Sequence, residues 1–222
     1  MYSSQPSFVL GFHGCDKAVA ERVLNKNLNL RKSENSFDWL GHGIYFWEND
    51  PGRALLFAEE NSQRMDSPVK KPAVIGAVID LGCCLNLVEA NALQIVKAGY
   101  QDLKSLTKRA GAEMPENRTV RGSNDLLLRH LDCAVIETVH QSREEAGERA
   151  FDSVRGVFWE GDDLYPNAGF KEKNHIQVCV RNPNCIKGFF QVRRQNNTWP
   201  LPQGLSRPSS LTEARKGKKE TR

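Results

Sequence analysis

No apolar run in this chain is long enough for a bilayer: the longest, Val74 to Val88, is broken by Asp80 and Asn86. The opening MYSSQPSFVL lacks the basic start and long apolar core of a secretory signal, so a cytoplasmic protein with no membrane contact is expected. The six cysteines (15, 83, 84, 133, 179 and 185) contain no C-x-x-C pair. That excludes zinc-finger spacing and a secreted disulfide framework, and predicts reduced, mostly buried thiols. Neither G-x-G-x-x-G nor G-x-x-x-x-G-K-[ST] occurs. A nucleotide bound here is therefore not held by a Rossmann turn or a phosphate loop.

What remains is a chain of 222 residues, 39% hydrophobic and 26% charged, which suits one globular domain. We place that domain at residues 1–200 and read the Pro/Ser/Lys-rich residues 201–222 as a basic, disordered tail. The formal charge of +4 belongs to the tail, because the segment from Gln203 onward holds six basic and two acidic residues. The body is thus neutral. Its distribution is uneven, however, since no Asp or Glu occurs from Lys173 to Thr212. Folded as sheet, that stretch would give a basic rim for a phosphate backbone or a dinucleotide, or else a solvated strand edge.

Apolar runs separated by turn residues predict strands at residues 7–13, 73–81, 154–159, 175–181 and 185–192, with 73–81 central. Asp16 is expected to cap a first helix with Val19, Val23 and Leu24 on one face, and Asp50-Pro51 to open a second. Residues 86–110 read as mainly helical. A further helix is expected over 123–141, capped by Ser123 or Asn124, although its CAVIETV half also fits a strand. The fold class is α+β.

Two histidines precede glycine. His13-Gly14 ends the first strand, where an imidazole and a bare backbone can approach a ligand closely. Gly41-His42-Gly43-Ile44-Tyr45-Phe46 follows, its glycines permitting a bend that presents Tyr45 as a stacking face. Singly, each of these reads better as an ordinary core residue. Together, F-H-G in a first strand, G-x-G-I-Y-F about thirty residues on and a helix with Ala54 and Ala58 resemble the ADP-ribosyltransferases. The likeness is to the poly(ADP-ribose) polymerase and diphtheria-toxin branch and covers residues 12–14 and 41–46, extending weakly to Ala58.

That resemblance implies a split β-sheet around NAD as co-substrate, no metal, and a His, a Tyr and a third residue, often Glu, on three strands. It assigns His13 to the adenosine-side ribose, Tyr45 to nicotinamide, the Gly14 backbone to the carboxamide and Gly43 to the same pocket. The late strand HIQVCVR offers Gln177 in the third place, with His175 on the same face as the alternative. Lacking an acid there, the chain departs from the Glu-bearing pattern, which implies transfer of single ADP-ribose units. Glu160 is the candidate for orienting the acceptor, with Asp162 and Asp163 as alternatives. Arg53 is the candidate partner of the pyrophosphate, and Trp159, Tyr165 and Phe170 are loop aromatics able to stack or grip.

The acceptor implied is a macromolecule, nucleic acid (RNA included) slightly favoured over protein. The resemblance to toxin and anti-phage effectors adds an antitoxin or other neutralising protein as partner. Two rivals stay open: a silent NAD or ADP-ribose binding module, and an RNA 2′-phosphotransferase or nuclease using His13, His42 or His175.

Overall fold

The computed structural model describes residues 8–26, 28–120 and 124–193, so the predicted tail at 201–222 and Ser123 lie outside the described residues. Element order is β1 (Val9–Asp16), α1 (Lys17–Lys26), β2 (Ile44–Glu48), α2 (Pro51–Ser62), β3 (Pro72–Ile79) and β4 (Cys84–Asn86). Next come α3 (Ala90–Ala110), β5 (Asn117–Arg118), β6 (Leu128–Arg129), α4 (His130–Glu145), β7 (Ser153–Phe158), β8 (His175–Val180) and β9 (Ile186–Gln191). The protein is α+β, with a seven-stranded mixed sheet ordered β4-β7-β8-β2-β1-β3-β9 and a separate two-stranded β5-β6 ladder. Only β4 and β7 pair in parallel within the large sheet.

Side-chain alternation along each strand sends two apolar sets to opposite faces. Ile44 and Phe46 of β2, Ile75, Ala77 and Ile79 of β3 and Val178 and Val180 of β8 meet Ala20 and Val23 of α1. On the other face Ile136 and Val139 of α4 close over Leu85, Val154 and Cys179. On that face too, Ala54 of α2 packs with Phe12 and Trp47. One helix thus covers one face, and α2 and α4 divide the other.

The caps follow local chemistry where the donor is local. Asp50 accepts the Arg53 N–H at 2.8 Å ahead of Pro51, and Asp16 accepts the Ala18 N–H at 2.9 Å. Two expectations need correction. The helix expected from Ser123 or Asn124 begins at His130, because Leu128 and Arg129 pair with Arg118 and Asn117 as β6. Its cap comes from outside: Asn117 Oδ1 accepts the N–H groups of Leu131 at 2.9 Å and Asp132 at 3.2 Å. The CAVIETV segment is helical. The apolar run at 73–81 is not central but one strand from the edge, between β1 and β9.

Candidate functional site

The ladder between β1 and β2 consists of two pairs, Gly11↔Glu48 and Phe12↔Trp47. Beyond them the strands part, although β1 continues to pair with β3 as far as Asp16. The His13 imidazole lies in the seam so created, its Nδ1 bonded to the Tyr45 carbonyl at 2.8 Å, which makes Nδ1 the protonated nitrogen. Its ring meets Phe46 edge-on at 5.8 Å. Burial holds the imidazole below its ordinary pKa, and the backbone hydrogen bond only partly offsets this. His13 is therefore neutral near pH 7. Its Nε2 has no protein partner among the described residues.

His13, Tyr45 and Gln177 come from three neighbouring strands, β1, β2 and β8. Their side chains do not touch. His13 follows the α1 face with Phe46, whereas Tyr45 and Gln177 follow the other, and the bond from His13 to the Tyr45 carbonyl links the two strands across the seam. The Tyr45 hydroxyl accepts the Leu40 N–H at 3.0 Å and donates to the Gly41 carbonyl at 2.8 Å. Burial pushes this phenol's pKa well up, so it stays protonated. Its ring is the part left for stacking. Gln177 Oε1 accepts the Trp39 indole N–H at 2.6 Å.

The expected glycines are tightly enclosed. A Cβ on Gly14 would stand 2.0 Å from the Ala54 carbonyl oxygen, so Gly14 is where α2 reaches the sheet. Gly43 exchanges backbone hydrogen bonds with Ser33 at 3.0 and 2.8 Å, and a Cβ there would meet Cys179 Sγ at 2.5 Å. Its role in the structure is thus steric. Gly41 supplies the bend with a positive φ of 77°.

Arg53 and Glu160 form one unit. Arg53 Nη2 donates to Glu160 Oε2 at 2.6 Å, with the two side chains only 7% and 12% exposed. Glu160 is thus a desolvated ion-pair member rather than a solvated turn residue. Lys173 reinforces the arrangement through Glu60 at 2.7 Å, so both ends of the β7–β8 loop are fastened to α2. Around this pair four buried polar atoms make no hydrogen bond: Trp47 Nε1, Arg53 Nε and Nη1, and His175 Nε2. Trp47 and His175 are in ring contact at 6.0 Å, and the Arg53 guanidinium lies over Trp47 at 5.8 Å. His175 Nδ1 bonds the Lys173 carbonyl at 2.6 Å, and burial lowers its pKa. The N–H donors of Trp47 and Arg53 and the acceptor Nε2 of neutral His175 lie together unanswered, which fits a ligand that offers both acceptor oxygens and a donor. Trp159, Tyr165 and Phe170 stand exposed on the loop above. Asp163 is engaged by Lys171 at 2.7 Å.

The acid-free stretch is not a free basic rim. Lys173 pairs with Glu60, Arg181 with Glu137 and Lys187 with Asp80, so acids from distant segments answer these three of its cations. Nor do the histidines share a site. His42 stands by Glu137 and Cys133, His13 by Phe46, and His175 by Phe158 and Trp47. Sequence reasoning missed Trp39, Trp47, Glu137 and Arg181. Glu137 accepts the His42 N–H at 2.8 Å and binds Arg181, which holds the turn ahead of Tyr45. Burial alone would raise the Glu137 pKa, but the Arg181 hydrogen bond, the His42 N–H and their charges keep it low.

Among the described residues no helix is long and apolar enough to cross a membrane, and no three His, Cys, Asp or Glu side chains are grouped to hold a metal. No family model matches the chain, and no solved structure matches it. The chain is similar to an uncharacterised protein of Methanocaldococcus jannaschii, 25% identical over 192 residues that cover 79% of this chain and 83% of that protein.

Proposed function

We propose that the protein is an NAD-dependent mono-ADP-ribosyltransferase with a split-sheet ADP-ribosyltransferase fold. The observation that carries this reading is the seam between β1 and β2. It opens at the F-H-G histidine, just past the Phe12–Trp47 pair, and that imidazole bridges it to the backbone of the G-x-G-I-Y-F tyrosine at 2.8 Å. Two motifs singled out on sequence alone thus meet where the β1–β2 ladder ends.

Cleavage of NAD breaks the bond between the ribose anomeric carbon and the nicotinamide nitrogen. The electron pair goes to the pyridinium, so nicotinamide leaves neutral and needs no general acid. The ribosyl group passes through an oxocarbenium-like state, which positioning and polar contacts stabilise. In this reading His13 Nε2 binds the adenosine ribose and the Tyr45 ring faces nicotinamide. The N–H donors of Trp47 and Arg53 answer carboxamide and phosphate oxygens, His175 Nε2 accepts from the carboxamide NH2, and Gln177 binds the ribose hydroxyl beside the breaking bond. An acceptor nucleophile then bonds to the anomeric carbon and loses its proton to a base, for which Glu160 is the candidate. The acceptor is a macromolecule, with the exposed Trp159, Tyr165 and Phe170 placed to stack on nucleobases or grip a protein. A neutralising protein partner and a cytoplasmic setting belong to the same reading.

The test is nicotinamide release from NAD, with mass spectrometry of RNA and protein from expressing cells for added ADP-ribose. His13→Ala and Tyr45→Ala are expected to lower release at least tenfold. Equal rates in wild type and both variants would refute it. Tight NAD binding without release would instead support a silent binding module, which the neutral Gln177 favours.

A further inference from the structure

Trp39 lies in the polar segment before β2 and has no part in the reading above, yet it decides what Gln177 can offer. A carboxamide has an acceptor end and a donor end of nearly the same shape, so its environment must choose between them. Indole Nε1 is a donor only. At 2.6 Å from Gln177 it fixes the carbonyl oxygen toward Trp39 and turns the NH2 group away.

The indole is itself held from three sides. Its ring packs on Phe158 at 5.0 Å, and the Arg129 guanidinium lies over it at 5.9 Å. Beneath it is Gly156, the residue opposite Gln177 in the β7–β8 register. A Cβ there would come within 2.8 Å of Trp39 Cη2, so a side chain at that position would force the ring to move. Gly156 is thus the space that lets Trp39 reach Gln177.

We propose that Trp39 is a positioning residue that locks the Gln177 amide with its NH2 group toward the seam, making the third-strand position an obligate hydrogen-bond donor. Resting on the NAD reading, this specifies the contact. Gln177 donates to a lone pair of the ribose hydroxyl, where a carboxylate would accept that hydroxyl's proton.

The test compares Trp39→Phe in two backgrounds. The variant keeps an aromatic ring on Phe158 and removes the N–H. In the natural background it is expected to lower kcat for nicotinamide release about tenfold with KM within about twofold, the loss of one positioned hydrogen bond. Combined with Gln177→Glu it is expected to change kcat less than about twofold, because the carboxylate's two oxygens are equivalent and no flip exists. Equal losses in both backgrounds would mean Trp39 only packs, and would overturn the lock. A readout without NAD separates this from the functional reading. The Trp39 indole proton should exchange slowly with solvent by NMR and lose that protection in Gln177→Leu. Fast exchange in the wild type overturns the lock. A protected indole in a protein that releases no nicotinamide leaves the lock standing and overturns the NAD assignment.

Discussion

The ion pair of Arg53 and Glu160 allows a worked prediction, because both side chains are withdrawn from water and joined at 2.6 Å. With charge centres about 4 Å apart and an effective dielectric near 20, their attraction is about 4 kcal/mol. Alternatives weaken the pair's net coupling. Glu60 stands 3.9 Å from Arg53, and Lys173 stands 4.0 Å from Glu160, so each charge keeps a partial partner when the other is removed. Halving for this substitution leaves a coupling of about 2 kcal/mol. Glu160→Leu should destabilise by about 3 kcal/mol, since it leaves a buried guanidinium with no hydrogen bond from its side-chain nitrogens and only Glu60, at 3.9 Å, to answer its charge. Arg53→Met should cost about 2 kcal/mol. The double variant should then cost about 3 kcal/mol, no more than Glu160→Leu alone. Urea unfolding of the four proteins measures the cycle. Additivity of the single changes to within about 0.5 kcal/mol would show that the pair is not desolvated in solution, and that the loop is not fastened to α2 as described.

Three further outcomes are expected. His140 is buried, and burial together with the Arg181 charge lowers its pKa to about 4, so the unfolded chain takes up its proton first as pH falls from 6.5. Stability should therefore drop by about 2 kcal/mol between pH 7 and pH 5 through this group, and His140→Leu should flatten that slope in unfolding titrations. Gly14→Ala should destabilise by about 3 kcal/mol in the same assay, because its Cβ meets backbone of α2 rather than a yielding side chain. Tyr45→Phe should cost about 1–2 kcal/mol by leaving the Leu40 N–H and the Gly41 carbonyl unanswered; a neutral effect would show that water replaces the hydroxyl.

These predictions rest on contacts of very different legibility. Features set by a few adjacent residues could be read from the chain: the Asp50-Pro51 cap, the strand runs, the helicity of CAVIETV. The cap of α4 could not, because Asn117 reaches it from a strand whose pairing is itself set by tertiary contacts. Charge was misleading for the same reason. An acid-free stretch says nothing about which acids face it in space, and Glu137 and Glu60 reach it from helices 44 and 113 residues away in sequence. The Trp39–Gln177 and Arg53–Glu160 pairs span 138 and 107 residues and depend on how loop, helix and strand come together. One signal for them was nonetheless present. A glycine inside a strand weakens it, so its presence points to a close approach by something else. Gly14 marks the arrival of α2 on the strand that carries His13, and Gly156 the arrival of Trp39 on the strand beside that of Gln177. Asking what each strand glycine makes room for leads from β1 to the Arg53 helix and from β7 to the indole, and so outlines the candidate site from residues that carry no chemistry of their own.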